Sequence, residues 1–168
     1  MVNEPLLILN RKQIQQKIRR IAYEIYEQNY LEKRLVLAGI TETGYILARM
    51  LSNELKKISP FELNLLRIDI EKDDPALGEV TIRGEVKRLN NACIILVDDV
   101  LHTGRTFVHS LKPFLNIETR RIQTAVLVDR SHKQYPVAAD YSGYQLSTTF
   151  SDHIEVSLKA GRYGVYLY

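Results

Sequence analysis

Apolar residues along this chain follow two patterns, one with the period of a helix and one made of short continuous runs. Between Ile14 and Ile25, isoleucine recurs at spacings of three and four residues, which places these side chains on one face of a helix. Asn10 stands three residues before Gln13, the spacing of a capping box. The pattern therefore predicts a first helix that starts after Asn10 and runs to about Asn29.

The continuous runs are rich in branched apolar residues and bounded by polar ones, as is typical of strands buried on both faces of a parallel sheet. After the first helix, the patterns predict this order of elements: strand Leu35–Ile40, helix Gly44–Lys57, strand Phe61–Asp69, edge strand Glu79–Val86, strand Ala92–Val97, helix Thr106–Leu115 interrupted late by Pro113, strand Ile122–Val128, and short strands near Tyr141, over Glu155–Leu158 and over Val165–Tyr168. Strands that alternate with helices predict an α/β fold, a doubly wound and mostly parallel sheet flanked by helices. The short strands near the end of the chain predict a small hood, formed mainly by 129–168.

Length and composition fit one domain spanning residues 1–168. With 168 residues, of which 45% are hydrophobic, the chain can bury one substantial core but is too short for two ordinary ones. Its 23 basic and 20 acidic residues leave a net charge of +3, which suits an anionic ligand and is too weak a bias to indicate nucleic acid.

The single cysteine, Cys93, lies inside an apolar run, so no disulfide can form within one chain and a buried, inert thiol is expected. No stretch has the pattern of a signal peptide or the length and apolar character of a transmembrane helix. We therefore expect a cytoplasmic protein without a membrane partner.

Two adjacent carboxylates, Asp98 and Asp99, follow the strand predicted over Ala92–Val97, and a Thr-Gly-x-Thr turn comes shortly after them at Thr103–Thr106. In open α/β sheets, ligands bind outside the carboxyl ends of the strands. The acids and the turn therefore indicate a binding site rather than the simple end of a core strand.

The turn has the donors that a phosphate needs. Thr103 and Thr106 carry hydroxyls, Gly104 lets the backbone approach an anion, and the predicted helix start adds backbone N–H groups. Thr106 is also a candidate cap of that helix. Asp98 and Asp99 would repel a second anion but would accept hydrogen bonds from vicinal hydroxyls, so the two halves together suit a sugar phosphate.

Acidic pairs after strands have other uses as well. They occur as helix caps, as solvated loop ends, and as magnesium sites in response-regulator receiver domains. The fixed spacing between the acids and the Thr-Gly-x-Thr turn favours the phosphate site over these alternatives.

The run Ile94–Thr106 resembles the phosphoribosyl pyrophosphate (PRPP) binding motif of type I phosphoribosyltransferases, which has four apolar residues, two acids and then Thr-Gly-x-Thr. The resemblance implies that Asp98 and Asp99 are catalytic residues that bind the ribose 2- and 3-hydroxyls. It also implies a loop that wraps the 5-phosphate, formed by Leu101, His102, Thr103, Gly104, Arg105 and Thr106. Mg²⁺ would be carried by PRPP, and no firm metal ligand from the protein is implied.

A second resemblance extends over almost the whole chain. Five segments are similar to the family of bifunctional pyrimidine operon regulators and uracil phosphoribosyltransferases, PyrR: Ile18–Asn29, Gly39–Leu51, Ile95–Thr106, Val126–His132 and Ala139–Gly143. Members convert uracil and PRPP to UMP and pyrophosphate with magnesium, and many bind the leader RNA of pyrimidine genes. The resemblance implies a pentosyltransferase that binds PRPP and uracil or UMP and forms a homodimer or a larger homo-oligomer.

The pyrophosphate loop departs from the family pattern. It usually reads Lys-Thr-Arg-Gly, whereas this chain has Thr41, Glu42, Thr43 and Gly44. Loss of the arginine and gain of Glu42 should weaken PRPP binding, because a charge-assisted hydrogen bond contributes about 1.5 to 3 kcal/mol. The other interpretation is an ordinary strand-to-helix turn with Thr43 as its cap. Both remain open, since the backbone amides still permit anion binding.

Base recognition would fall on the hood. By resemblance, Asp129, Arg130 and Tyr141 occupy the region that contacts the base, with Tyr141 as a stacking surface. The plainer alternatives are an ion pair between Asp129 and Arg130 and a core position for Tyr141. His102 is a candidate catalytic acceptor for the proton of the attacking base nitrogen, the alternative being an exposed loop histidine without a role.

The segment Asp69–Arg83 falls where the family places a mobile lid over PRPP, and it looks shortened here. Lys72, Arg83 and Lys87 would reach a phosphate if this segment closes. The alternative is a solvated, charged hairpin.

RNA contact has weaker support. In the first helix the family commonly has Thr-Arg-Ile-Ala-His, while this chain has Arg-Arg-Ile-Ala-Tyr at 19–23, and Ala138 replaces the arginine expected before Ala-Asp-Tyr. Five cations remain for a basic face: Lys12, Lys17, Arg19, Arg20 and Lys133. Because surface lysines and arginines are usually just solvated, the sequence leaves a leader-RNA partner open without indicating one.

Three functions therefore remain at this point. The first is a uracil phosphoribosyltransferase, with or without a regulatory role in pyrimidine synthesis. The second is a non-catalytic, nucleotide-sensing and RNA-binding regulator that keeps the ribose-5-phosphate site, and the third is a phosphoribosyltransferase for another base. The acid pair and turn match the family pattern and the pyrophosphate loop does not, so the sequence predicts ligand binding more firmly than turnover.

Overall fold

Alternating strands and helices make up most of the computed structural model, which describes residues 4–70, 78–149 and 151–168. The strands are β1 (Leu6–Asn10), β2 (Arg34–Ile40), β3 (Glu62–Asp69), β4 (Thr81–Arg83), β5 (Cys93–Leu101), β6 (Arg121–Asp129), β7 (Tyr141–Gln145), β8 (Ile154–Lys159) and β9 (Arg162–Leu167). The helices are α1 (Arg11–Asn29), α2 (Thr41–Ile58) and α3 (Arg105–Ser110), with short 3-10 turns at Val86–Arg88 and Lys112–Phe114.

Six strands form the main sheet, in the order β4-β3-β2-β5-β6-β7. The strands β3, β2, β5, β6 and β7 run parallel to one another, and β4 is antiparallel at one edge. The chain moves outward in one direction from β2 to β3 and in the other from β5 to β6 and β7, so the order reverses between β2 and β5. The doubly wound, mostly parallel sheet predicted from the sequence is confirmed.

Two core layers explain why the strand runs are apolar throughout. In β2, Leu35 and Leu37 pack in one layer with α1 and α2, while Val36 and Ala38 pack in a second layer that includes Phe107 of α3. Successive side chains of a strand point to opposite faces, so a strand covered on both faces has no polar positions.

The first helix begins as the sequence predicts. The Asn10 side chain accepts a hydrogen bond from the backbone N–H of Gln13 at 3.0 Å, and the Gln13 side chain accepts one from the N–H of Asn10 at 2.9 Å. Ile14 and Ile25 mark the ends of the buried isoleucine stripe. In the described ranges, none of the helices has the length and apolar character needed to cross a membrane.

A second, antiparallel sheet has the order β1-β9-β8, and we call it the hood sheet. Within the range 129–168 expected to form the hood, β8 and β9 belong to this sheet, whereas β7 extends the main sheet beside β6. The sequence did not predict β1, because a strand of five residues that ends at a helix cap carries little periodicity and its partner strand β9 lies far away in the sequence. That residues 1–168 form a single domain stays a prediction.

The ends of β5 and α3 differ from the prediction, each for its own reason. β5 continues past Val97 to Leu101, since its backbone stays in register with β6 through Asp98 and beyond. α3 covers about half of the predicted helix Thr106–Leu115, and a 3-10 turn that contains Pro113 follows it.

Candidate functional site

The reversal of strand order between β2 and β5 creates a crevice at the carboxyl ends of these two strands, the usual ligand position in open α/β sheets. A cavity of about 520 Å³ lies at the end of β5. Its wall contains residues 98–104, Thr106 and Phe107 from β5 and the turn after it, together with Arg130, His153 and Ile154. The acid pair and the Thr-Gly-x-Thr turn therefore share one cavity.

The two carboxylates of the acid pair differ in accessibility. Asp98 is 1% exposed, and its Oδ1 accepts a hydrogen bond from the backbone N–H of Asp99 at 3.0 Å. Asp99 is half-buried, and its Oδ1 accepts one from the N–H of Val100 at 3.0 Å. Backbone donors thus orient both carboxylates, and Asp99 is the one more open to a ligand hydroxyl.

The turn after β5 has Gly104 at the cap position of α3. Its φ of 88° lies in the left-handed region, which glycine adopts without strain. Thr106 lies inside α3, so the prediction that it caps this helix is wrong. The hydroxyl of Thr103, not that of Thr106, contacts the start of α3: its Oγ1 accepts a hydrogen bond from the backbone N–H of Arg105 at 3.3 Å. The Thr106 position still lines the cavity.

The loop between β6 and β7 supports this turn through hydrogen bonds and side-chain contacts. The backbone N–H groups of Gln134 and Tyr135 both donate to the carbonyl of Thr103, at 2.9 and 3.0 Å. The side chains of Tyr135 and Val137 also pack over Gly104. Sequence reasoning missed these contacts because the residues between β6 and β7 carry no periodic pattern. The turn is held in shape by this loop as well as by the short helix α3.

The segment Thr41–Gly44 forms the first turn of α2 rather than a separate loop. Ile40 occupies the cap position and no side chain caps the helix, so the interpretation of Thr43 as a cap is wrong. Thr41 has a φ of 57°, a left-handed conformation that strains a β-branched residue. Such strain is concentrated at functional sites.

Glu42 has a local structural role that the sequence did not suggest. A carboxylate in the first turn of a helix interacts favourably with the helix dipole, and Glu42 is exposed there. Glu42 and Thr43 line a separate cavity of about 150 Å³ together with residues 155–159 of the hood sheet. That Glu42 weakens the binding of pyrophosphate stays a prediction.

Tyr141 lies in the core. It is 1% exposed, its hydroxyl accepts a hydrogen bond from Asn29 Nδ2 at 3.0 Å, and it donates to Gln123 Oε1 at 3.1 Å. Burial raises the pKa of Tyr141 to about 12. The prediction of a stacking surface is wrong, because β7 places Tyr141 beside Ala125 in the middle of β6, away from the carboxyl end of the sheet.

Asp129 is the last residue of β6, Arg130 follows it in the cavity wall, and each is 4% exposed. Arg130 Nε donates to Thr148 Oγ1 at 3.0 Å, and its terminal nitrogen donates to the carbonyls of Thr149 and Asp152 at 3.3 and 2.8 Å. Burial lowers the pKa of Arg130. The guanidinium is therefore engaged with the loop before β8, and direct base contact by Asp129 or Arg130 stays a prediction.

His102 is half-buried in the cavity wall. Burial lowers its pKa, and the positive charge of Arg130 and the imidazoles of His132 and His153 lower it further. The ring centroids of His102 and His132 lie 6.1 Å apart in an edge-on arrangement. A lowered pKa keeps the imidazole neutral at neutral pH, the form that accepts a proton.

Part of the predicted lid is described. β4 pairs with β3 and covers the middle of the predicted edge strand Glu79–Val86. Arg83 Nε lies 2.6 Å from the Asp69 carboxylate, so this cation is held at the sheet edge. Lys72 lies outside the described residues, as does the side chain of Lys87.

Four of the five cations considered for an RNA-binding face contact other groups of the chain. Arg20 makes the most direct contacts, donating to the carbonyls of Ser142 and Gly143 at 2.7 and 2.9 Å. The other contacts are Lys17 with the Tyr144 ring, Arg19 with Glu54 and Lys133 with Asp129. Arg20, which matches the family motif, therefore ties α1 to the edge strand β7.

Within the part of the chain that the structure describes, no group of three or more His, Cys, Asp or Glu side chains could hold a metal ion. The acid pair places two carboxylates in the cavity wall. Two carboxylates fit an ion such as Mg²⁺, which keeps waters and takes further ligands from a bound phosphate group.

The class of the protein follows from comparison with known families. The model of the phosphoribosyl transferase domain matches residues 7–160, so the chain belongs to the phosphoribosyltransferase family. Two curated relatives, both named Bifunctional protein PyrR, narrow this assignment. The one from Streptococcus mutans is 38% identical over 144 residues, 84% of this chain and 81% of that protein. The one from Clostridioides difficile is 36% identical over 162 residues, 92% of each. Within the family, the chain belongs with the PyrR proteins.

Solved structures with a similar fold are more distant in sequence. The hypoxanthine phosphoribosyltransferase of Trypanosoma cruzi gives a TM-score of 0.78 at 13% identity, covering 96% of this chain and 94% of that one. A hypoxanthine-guanine phosphoribosyltransferase from Bacillus anthracis gives 0.74 at 15% identity, covering 97% of each. This likeness confirms the type I phosphoribosyltransferase fold.

Sequence reasoning missed four residues of the cavity wall, Val100, Phe107, His153 and Ile154. Phe107 carries the ordinary signal of a buried helix residue. His153 and Ile154 stand just before a predicted strand, and only the placement of β8 beside β5 brings them to the acid pair. No local signal in the sequence could have found them.

Proposed function

We propose that this protein transfers the phosphoribosyl group of PRPP to uracil, forming UMP and pyrophosphate. The observation that carries the proposal is that the acid pair and the Thr-Gly-x-Thr turn line a single cavity at the crevice of the sheet. Membership of the phosphoribosyltransferase family supports the reaction type, and the PyrR relatives support a pyrimidine as the base.

Each half of the cavity wall has a role in this reaction. Hydroxyls and backbone N–H groups of the turn Thr103–Thr106 bind the 5-phosphate, and Asp98 and Asp99 accept hydrogen bonds from the ribose hydroxyls. Holding the sugar at both ends presents its C1 atom to the base. The bond between C1 and the base nitrogen forms while the bond between C1 and the pyrophosphate oxygen breaks, without a covalent nucleophile from the protein.

Charge develops at two places during this displacement. The ribose ring takes on oxocarbenium character, which the neighbouring carboxylates Asp98 and Asp99 stabilise. The attacking nitrogen loses its proton, and neutral His102 in the cavity wall accepts it. Mg²⁺ bound with PRPP would neutralise charge on the departing pyrophosphate, and Asp99 is the more accessible carboxylate available to hold it.

A second candidate function is a nucleotide-sensing regulator that binds UMP in the same cavity without turnover. One observation favours it: the first turn of α2 carries Glu42 and no cation at Thr41–Gly44, where pyrophosphate would bind. In this function the nucleotide would control binding of a pyrimidine leader RNA.

Pyrophosphate release distinguishes these functions. The purified protein is incubated with PRPP, Mg²⁺ and, in turn, uracil, cytosine, adenine and hypoxanthine. We expect release with uracil alone. Release with a different base would reassign the substrate, and binding of UMP without any release would support the regulator. Titration with a pyrimidine leader RNA at stated salt then tests the RNA partner.

Replacement of the acid pair tests the site itself. In Asp98→Asn/Asp99→Asn we expect loss of PRPP binding by calorimetry, with the cooperative unfolding transition retained. The control variant Glu24→Gln/Glu27→Gln on α1 also removes two negative charges, but outside the cavity, and should bind PRPP like the wild type. Wild-type affinity in the Asp98→Asn/Asp99→Asn variant would rule out the assignment. Light scattering on the same samples checks the expected homodimer or larger homo-oligomer.

A further inference from the structure

The proposed function leaves one wall of the cavity without a role. In a nucleotide, the base is attached to C1 of the ribose, at the end of the sugar away from the 5-phosphate. With the phosphate at Thr103–Thr106 and the ribose hydroxyls at the acid pair, the base lies toward the remaining wall, which is formed by Arg130, His153 and Ile154.

His153 is the residue of this wall that a base can reach with a polar side chain. Ile154 is 6% exposed and packs in the core. Arg130 is almost fully buried, and its guanidinium donates to the loop before β8. The His153 side chain, in contrast, is exposed and lines the cavity.

The backbone of His153 is fixed on both sides. The carbonyl of the preceding residue, Asp152, accepts a hydrogen bond from Arg130 at 2.8 Å. The N–H of His153 donates to the carbonyl of Tyr168 at 3.2 Å, and the N–H of Tyr168 donates back to the carbonyl of His153 at 3.0 Å. A side chain on a fixed backbone loses less conformational freedom when it binds a ligand.

Arg130 and His132 act as positioning residues for this wall. Arg130 Nε donates to Thr148 Oγ1 at 3.0 Å, and the His132 imidazole forms a hydrogen bond with the carbonyl of Thr148. Both belong to the Val-Asp-Arg-x-His part of the segment Val126–His132 that the sequence analysis singled out. The segment holds the loop that leads to His153.

We propose that His153 contacts the nucleobase and selects a ring carbonyl over an amino group at the same position, an inference that rests on the proposed nucleotide site. Arg130 and His102 line the same cavity as His153, and the ring centroids of His153 and Tyr168 lie 6.1 Å apart. The Asp152 carboxylate is turned to its own loop, where it accepts a backbone N–H at 2.7 Å. The positive charge of Arg130 in the same wall favours a carbonyl oxygen over an amino group, and that oxygen accepts a hydrogen bond from the imidazole N–H. The ligand class is an oxopyrimidine rather than an aminopyrimidine.

Calorimetric binding of UMP, CMP and ribose 5-phosphate to the full chain tests this inference without relying on turnover. We expect the wild type to bind UMP more tightly than CMP. His153→Ala should weaken UMP binding about fivefold to tenfold, the loss expected for one hydrogen bond, and narrow the preference over CMP. Its affinity for ribose 5-phosphate should stay at the wild-type value. His153→Gln keeps an N–H donor and should retain most of the UMP affinity.

His109→Ala is the matched control, since His109 lies on α3 outside the cavity wall and its replacement should leave all three affinities unchanged. Unchanged UMP affinity in His153→Ala, or an equal loss for UMP and ribose 5-phosphate, would overturn the role of His153. A wild type that prefers CMP would overturn carbonyl selection. If the wild type binds UMP but releases no pyrophosphate with any base, the transferase function fails while the His153 comparison still decides the base contact. Failure to bind either UMP or ribose 5-phosphate would overturn both.

Discussion

Gly44 of α2 lies so close to Asp98 of β5 that it has no room for a side chain. A Cβ atom on Gly44 would be 2.7 Å from the carbonyl oxygen of Val97 and 3.3 Å from Asp98 Oδ1. Only a glycine permits this approach between a helix and a neighbouring strand. The first turn of α2 and the acid pair are thus packed as one unit, although they are far apart in the sequence.

We expect Gly44→Ala to lower the free energy of unfolding by about 1 to 3 kcal/mol, because overpacking forces the two elements apart. PRPP binding should weaken as well, since Asp98 must shift. Gly143→Ala is the matched control, because a Cβ there would lie 2.7 Å from the carbonyl of Leu127, outside the cavity wall. It should destabilise the fold similarly and leave the PRPP affinity of the folded protein unchanged. Denaturant unfolding measures the stability of the two variants, and calorimetry measures their PRPP affinity. Equal losses of PRPP affinity in Gly44→Ala and Gly143→Ala would contradict the prediction.

A cation in the first turn of α2 should strengthen PRPP binding. In Glu42→Thr/Thr43→Arg, the new arginine can form a charge-assisted hydrogen bond with pyrophosphate, worth about 1.5 kcal/mol or more, which corresponds to roughly tenfold tighter binding. Glu42→Thr alone separates the removal of the acid from the gain of the cation. Ribose 5-phosphate, which lacks pyrophosphate, should bind with unchanged affinity. An equal gain for ribose 5-phosphate would indicate a general charge effect instead.

His102 should make stability depend on pH. Burial and the nearby Arg130 lower the pKa of His102 in the folded state below its ordinary value of 6.5, so protonation favours the unfolded chain. The contribution of neutral His102 to the free energy of unfolding is fully present above about pH 6.5. It is lost as the pH falls from there through the pKa of His102 in the folded state. Thermal melting between pH 8 and pH 5 measures it. His102→Gln should flatten this part of the profile, and a profile parallel to the wild type would disprove the assignment.

A buried polar cluster joins the end of α1 to the main sheet. Asn29 donates to Gln123 Oε1 and to the Tyr141 hydroxyl, both at 3.0 Å, and accepts from Arg121 at 2.7 Å. Asn29→Ala removes a hydrogen-bond partner from Gln123, Tyr141 and Arg121. We therefore expect the free energy of unfolding to fall by about 2 to 3 kcal/mol. Asn53→Ala, on an exposed position of α2, should change it by less than about 0.5 kcal/mol. Urea unfolding measures the free energy of unfolding of both variants. Similar losses in Asn29→Ala and Asn53→Ala would argue against a stabilising cluster.

The sequence predicted the features whose signal is local. The capping pair Asn10 and Gln13, the isoleucine stripe of α1 and the buried strands follow from residue spacing alone, and the structure shows them at the expected places. The acid pair and the turn after β5 are also contiguous in sequence. Their common position in one cavity needs only that β5 end at the crevice.

Features that depend on distant segments were missed or misassigned. A hydroxyl at Thr43 or Thr106 is typical of a helix cap, but the junctions before α2 and α3 set the helix starts at other residues. An aromatic ring such as Tyr141 looks the same in a core and in a site, and its pairing with β6 decides between them. His153 reaches the cavity only through β8.

The main sheet ends at β7, and in the described ranges no further strand pairs with it on that side. An open strand edge of this kind is a template on which another chain can add its own strand. Arg20, which also pairs with Glu24, donates to the carbonyls of Ser142 and Gly143 and so places a charged group at this edge strand. Because a charged side chain at an edge strand opposes the addition of another strand, we expect Arg20, which the sequence first suggested for RNA contact, to make aggregation through this edge less favourable.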